Sequence, residues 1–262
     1  QMCIRDRPGF VHAEDDRTLA VDALVGPDDP LAGALTDGRE VGVLAIELSS
    51  RRRMRVNGTV TGGMPPARVA AGGGSTEGDG GTGRGTHAFR IRTDQVYSNC
   101  PKYIQARDTR FRRRGARGAA RSVECISGVD EAATAWIEGA DTFFIASHVP
   151  GCGADASHRG GPPGFVRVSG GRLSWPDYVG NAMFNTLGNI VVNPAAGLLF
   201  VDFPSGDLMH LAGNASLDTS SSRAAGWPGA ERVVDFDVRE IRIRRGALRL
   251  EFGPPELSPF LP

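Results

Sequence analysis

The sequence predicts a β-rich α+β fold of short antiparallel strands, and three observations carry that prediction. The 262-residue chain holds 36 glycines and 17 prolines, enough turn formers to divide it into many short elements. Its apolar runs are short, as in Thr142-Phe143-Phe144-Ile145-Ala146, and are bounded by Gly, Pro, Asn, Asp and Ser. Landmarks also recur 155 residues apart: Pro8-Gly9-Phe10-Val11-His12-Ala13 lies opposite Pro163-Gly164-Phe165-Val166-Arg167-Val168. At the same offset Gly42-Val43-Leu44-Ala45-Ile46-Glu47-Leu48 lies opposite Gly197-Leu198-Leu199-Phe200-Val201-Asp202-Phe203, and Gly33, Met54 and Gly58 lie opposite Gly188, Met209 and Gly213. The repeat predicts two tandem copies of one barrel, residues 8–106 and 123–254, the first truncated because nothing before residue 8 matches 123–162.

Taken in order, residues 1–7 read as a non-native leader and are set aside. The first copy opens on the strand at Pro8 and contains a Gly-rich insertion, 62–85, expected to be a flexible loop. Arg51-Arg52-Arg53 falls opposite Pro204-Ser205-Gly206 and is expected at a solvated hairpin tip. A strand at 88–96 leads into Tyr97-Ser98-Asn99-Cys100-Pro101-Lys102-Tyr103-Ile104-Gln105, and the Arg-rich stretch 107–122 reads as a solvated linker. Residues 130–137 place Ala133, Trp136 and Ile137 on one face of a helix. Strands follow at 142–147, 164–168, 172–175, 197–203, 207–215 and 232–251, the last broken near Arg244-Arg245-Gly246. Antiparallel strands with one or two short helices point to a closed barrel.

Charge and composition exclude several functions. Thirty basic residues balance thirty acidic ones, so no global field draws the chain to nucleic acid or to an anionic membrane. The four widely spaced cysteines read as reduced thiols, no apolar run approaches the ~20 residues of a bilayer span, and no signal peptide is visible, which together predict a cytoplasmic protein. Lys102 is the single lysine, which argues against Schiff-base chemistry on pyridoxal phosphate; arginine carries the positive charge.

Two clusters of small and polar residues could carry chemistry. The first, Ser157-His158-Arg159-Gly160-Gly161, is expected in a loop ahead of strand 164–168, where it and Phe165 offer hydrogen-bond donors and flat apolar contact; the alternative is a surface turn. The second runs through Trp175-Pro176-Asp177-Tyr178-Val179-Gly180-Asn181 and Phe184-Asn185-Thr186-Leu187-Gly188-Asn189, a strand-to-helix turn whose amides and side chains suit an anion. No zinc pattern fits the spacing of His148, Cys152, Asp155 and His158, so no metal is expected. Ser157 and His158 are adjacent in sequence and no Gly-x-Ser-x-Gly elbow is present, which argues against a hydrolase.

These two clusters resemble those of the pyridoxamine 5′-phosphate oxidase-like family, the FMN-binding split barrels, most clearly over residues 136–217. The resemblance implies a split β-barrel of the FMN-binding type and a flavin-dependent oxidoreductase acting on an unassigned small-molecule substrate. It implies Ser157, His158, Arg159 and Phe165 near the flavin ring, and Pro176, Tyr178, Asn181, Asn185, Thr186 and Asn189 near the phosphate. The turn at 176–189 lacks the Arg and Lys of the oxidase proper, so Arg159 or Arg167 replaces that charge, or the cofactor is bound weakly, or it is a different flavin such as a deazaflavin. His158 is the one candidate acid or base, and the alternative function is a non-catalytic barrel that holds a flavin or another small anionic metabolite. Flavins of such barrels lie between subunits, which implies a pseudo-dimer of the tandem copies or a homodimer. At the 155 offset the phosphate turn falls on 21–34, where Asp28 and Asp29 would repel an anion, so one flavin per chain is expected.

Overall fold

A computed structural model describes residues 10–22, 29–31, 33–62, 89–111, 122–180 and 182–262. The expected leader, most of the Gly-rich insertion, Asp28 and Asn181 lie outside the described residues. Strands β1 (Val11–Asp15), β2 (Thr18–Val21), β3 (Glu40–Glu47), β4 (Arg52–Thr61) and β5 (Phe89–Ser98) form an antiparallel sheet in the order β1-β2-β5-β4-β3. Strand β6 (Thr109–Phe111) follows. The second half contains β7 (Ser122–Ile126), α1 (Glu131–Gly139), β8 (Thr142–Val149), β9 (Gly153–Gly160), β10 (Arg167–Ser169), β11 (Arg172–Tyr178) and α2 (Asn185–Val192). It continues through β12 (Ala195–Asp202), β13 (Asp207–Asp218), α3 (Ser221–Ala224), β14 (Ala230–Arg245) and β15 (Leu250–Phe252). Its sheet runs β10-β11-β14-β13-β12-β8-β9, with β7 on the far part of β14.

The second sheet curls around one core. Alternate residues of each long strand point inward, and Phe143 and Ile145, Leu198 and Phe200, Met209 and Leu211, and Ile241 and Ile243 meet in a single buried cluster with Trp175. Helix α1 closes one end. The Asp130 side chain caps it by accepting from the Ala133 amide at 2.7 Å, and it buries Ala133 and Ile137. The hydrogen-bonded path from β10 to β9 does not return on itself, so the barrel is split where the sequence alone suggested closure. Among the described residues no helix is long and apolar enough to cross a membrane.

The hairpins β3–β4 and β12–β13 have the same register. Glu40 to Glu47 pair with Thr59 to Arg52, and Ala195 to Asp202 pair with Asn214 to Asp207, each partner 155 residues on. Both long strands carry a bulge at the same place, Asn57/Gly58 and Ala212/Gly213. A Cβ on Gly58 would stand 2.1 Å from the Arg92 carbonyl oxygen, and one on Gly213 would stand 2.2 Å from that of Asp237. The offset slips by one at β2: His12 and Arg167 occupy matching places on β1 and β10, but their partners are Ala20 and Ser174, 154 apart. A register shift between Ala13 and Asp15 absorbs the extra residue. The first sheet has no counterpart of α1, β8 or β9 among the described residues, and the stretch matching α2 forms turns.

The two sheets pack outer face to outer face. Leu44 and Ile46 of β3 join Phe144, Leu199, Val201 and Leu208 in an apolar cluster. Gly42 lies so close to β9 that a Cβ there would come within 2.9 Å of the Ala154–Ala156 backbone. The stretch after β5 also docks on the second half. Arg107, at the head of the expected solvated linker, is buried, pairs with Asp141 at 2.6 Å and stacks 3.9 Å over the Phe203 ring. Strand β6 pairs with β15.

Candidate functional site

Strand β9 supplies the first set of side chains. The string expected in a loop is this strand, because Thr142–Val149 and Gly153–Gly160 form a hairpin pairing Phe144 with His158 and Ile145 with Ser157. Buried Asp155 accepts from Arg55 of β4 at 2.9 Å and from the Thr186 hydroxyl. Since that hydroxyl has one hydrogen, Ser157, 2.9 Å away, donates to Thr186. Arg159 bonds Asp177 at 3.0 Å, and Asp177 also accepts from Arg232 at 2.7 Å.

His158 is buried among four arginines. Its Nδ1 lies 3.3 Å from Arg53 Nη1; a guanidinium only donates, so Nδ1 is the acceptor and the proton sits on Nε2. Burial, and after it the charges of Arg53, Arg159, Arg107 and Arg55, hold the imidazole pKa well below 6.5. His158 is therefore a neutral donor near pH 7, with its basic nitrogen engaged. The Arg53 guanidinium is itself pulled down to about 10, first by burial and then by Arg55 and Arg159.

Around these residues lies a cavity of about 250 Å³, somewhat below the usual range of ligand sites, walled by both halves of the chain. Arg53 and Arg55 come from β4, and Cys100, Lys102 and Tyr103 from the stretch after β5. His158, Arg159, Phe165, Pro176, Tyr178 and Phe184 form the opposite side. Tyr103 and Tyr178 pack with ring centroids 5.1 Å apart, and Tyr103 Oη donates to the Val179 carbonyl at 2.9 Å. The third tyrosine of the chain, Tyr97, accepts from Asn185 at 2.7 Å and lies 6.0 Å beneath Arg55.

The cavity carries more positive than negative charge. Arg55 is matched by Asp155, Arg159 and Arg232 share Asp177, and Arg232 also meets Glu231 at 3.1 Å. Three carboxylates thus face five cations, leaving an excess of two, carried by Arg53 and by Lys102, whose ammonium lies 5.9 Å over the Phe260 ring. Arg53 Nε, Arg159 Nε and His158 Nε2 are buried N–H groups without a protein partner.

Five residues singled out from sequence line this cavity: His158, Arg159, Phe165, Pro176 and Tyr178. Ser157 and Thr186 lie behind the wall, bonded to each other, while Asn185 donates to Tyr97 and Asn189 to Ser147 at 3.2 Å. Arg167 is elsewhere, exposed and stacked 4.0 Å over the Trp227 ring. Sequence reading missed Arg53, Arg55, Lys102 and Arg232. Only Arg51 occupies the hairpin tip, where its φ of 54° matches the 78° of Gly206, whereas Arg52 and Arg53 belong to β4. The repeat held the signal, since Arg53 and Arg55 fall opposite Leu208 and His210, both buried.

No family model and no curated protein matches this chain. It is similar to solved structures at low identity. HupZ of Group A Streptococcus is 16% identical, with 43% of this chain and 90% of that one covered and a TM-score of 0.34. A candidate pyridoxamine 5′-phosphate oxidase of Listeria innocua is 19% identical over 42% of this chain and 92% of that one, TM-score 0.33. A FAD-binding protein of Mycobacterium smegmatis is 12% identical over 46% and 98%, TM-score 0.33.

Proposed function

We propose that the chain is a tandem pair of split-barrel copies forming one flavin site between them, and that the cofactor is flavin mononucleotide. The observation that carries this reading is the cavity itself, where aromatic rings from both halves meet an excess of two positive charges supplied by Arg53 and Lys102. FMN presents the complementary pair, a flat tricycle and a phosphate monoester carrying about −1.5 to −2 charge at pH 7. Phe165, Tyr103, Tyr178 and Phe184 would supply the flat contacts, and Arg53, Lys102 and Arg159 the charge. Ser157, Thr186, Asn185 and Asn189 brace the wall from behind.

When bound, the flavin supplies hydride or electron transfer, which makes an oxidoreductase acting on a small molecule the leading activity. The protein's own residues bind, orient and exclude water. His158, neutral and donating through Nε2, would hold an acceptor atom of the ligand rather than move a proton. A second reading, a barrel that binds flavin without turnover, is favoured because Arg53 occupies Nδ1, the one basic ring nitrogen of His158.

Titration of the purified chain with FMN, FAD, riboflavin and a deazaflavin tests the cofactor by quenching of flavin fluorescence. Saturable binding of one FMN per chain is expected, and absence of binding to all four would end the proposal. Reduction of the bound flavin by NADH or NADPH, followed by reoxidation, separates the oxidoreductase from the silent binder.

A further inference from the structure

The polar side chains in and behind the cavity wall fall into two sets, engaged and unengaged, and that difference assigns the phosphate's partners. On α2 the side chains expected to meet a phosphate are already engaged: Asn185 with Tyr97, Thr186 with Asp155, and Asn189 with Ser147. Of the lining carboxylates, Asp177 is shared by Arg159 and Arg232, and Glu231 meets Arg232, whose guanidinium lies 4.9 Å over the Phe184 ring. At Arg53 of β4 the situation is reversed. Arg53 has no carboxylate partner among the described residues, its Nε is buried and unpaired, and so are Arg159 Nε and His158 Nε2 beside it. A phosphate offers three oxygens that accept such donors.

Resting on the FMN reading above, we infer that the ligand's phosphate is held by Arg53 of β4, with His158 Nε2–H and Arg159 of β9, and not by the turn at the head of α2. The ring system then extends toward Tyr103, Tyr178 and Phe184. Electrostatics agree: burial and the like charges of Arg55 and Arg159 depress the Arg53 guanidinium, and a dianion beside it relieves that repulsion. The consequence is a site whose phosphate half needs the first sheet, so neither sheet holds the ligand alone.

The test compares a ligand that has the phosphate with one that lacks it. FMN and riboflavin are titrated, by fluorescence quenching and by calorimetry, into the full chain and into Arg53→Ala, Arg53→Gln and Asn185→Ala. The unaltered chain should prefer FMN over riboflavin by roughly 10- to 100-fold, the range for a lost charged hydrogen bond. Arg53→Ala should erase that preference by weakening FMN while leaving riboflavin within about threefold. Arg53→Gln, which can still bond His158, should do the same if Arg53→Ala folds poorly. Asn185→Ala should leave the ratio intact. An FMN preference that survives both Arg53 variants, or is lost in Asn185→Ala, overturns the assignment; failure of the unaltered chain to bind either flavin overturns the FMN reading itself.

Discussion

The hairpins β3–β4 and β12–β13 share every backbone partner at an offset of 155 residues, yet their outer faces have opposite chemistry. On β13 that face presents Leu208, within the apolar cluster between the sheets, and buried His210. On β4 the same places hold Arg53 and Arg55, which reach β9 and line the cavity. Backbone register is maintained by hydrogen bonds that any side chain permits, whereas the choice between an interface and a ligand site rests on two alternating residues. Because only one of the two strands, β4, puts arginines at these places, the proposed site is expected once per chain.

The largest expected effect comes from making the charged face resemble the apolar one. Arg55→Leu leaves Asp155 buried without its ion-pair partner, and should destabilise the chain by about 3–5 kcal/mol. Adding Asp155→Asn should restore more than half of that, since the uncompensated charge is gone. The matching change on the other face, His210→Leu, removes a buried imidazole whose Nε2 has no partner and should alter stability by only about 1 kcal/mol. Urea denaturation of the three variants decides: equal costs at positions 55 and 210 would show that the two faces do not differ electrostatically.

Acid should expose the same contrast more gently. Burial, then Arg244, lowers the His210 pKa from 6.5 to about 4, and His158 is held low by burial and its arginines. Above pH 6.5 both rings are neutral in folded and unfolded chains. As the pH falls below 6.5 the unfolded chain takes up protons that the folded one refuses, so stability drops progressively toward pH 4. His210 contributes at most about 3 kcal/mol to that loss. The difference between the urea midpoints at pH 7 and pH 5 should therefore shrink in His210→Leu, while Arg55→Leu should leave the His210 share in place.

The bulge glycines test what the two hairpins share. Gly58→Ala and Gly213→Ala would each drive a methyl into a carbonyl oxygen of the neighbouring strand, costing about 1–3 kcal/mol. Matching melting-temperature losses are expected, and tolerance at one position alone would mean that the two bulges differ in more than sequence.

How much of this was legible in the sequence depended on the kind of signal. The paired hairpins were visible because Gly58 and Gly213 answer one steric demand, and a demand on the backbone leaves the same residue in both places. Strand β9 was misread as a loop because Gly153, Ser157, His158 and Gly160 lack strand propensity; pairing with β8 overrides it. Five of the proposed site residues reach the cavity, but Asn185, Thr186 and Asn189 do not, since sequence shows a polar side chain without showing which neighbour has already bonded it. Arg53 escaped notice for a related reason. A row of three arginines looks solvated until the strand pleat, set by a turn at Arg51, sends one of them inward.

The smallest effect is expected at Arg167, the other arginine that could have replaced the missing phosphate charge. It lies on the edge strand β10, as His12 does on the matching strand β1, and both are exposed. Its guanidinium stacks over Trp227 and donates to the Gly226 carbonyl at 2.7 Å, a contact that staples a loop to the barrel, and Arg167 is not among the residues that line the cavity. Removing an exposed cation–π contact costs about 0.5–1 kcal/mol, so Arg167→Ala should lower stability by that amount and leave flavin affinity unchanged. Arg159→Ala, eight residues earlier on the cavity wall, should weaken FMN binding roughly tenfold or more. Calorimetric titration of the pair distinguishes them, and a comparable loss of affinity in Arg167→Ala would mean that the ligand lies at the outer edge of the second sheet instead of between the two.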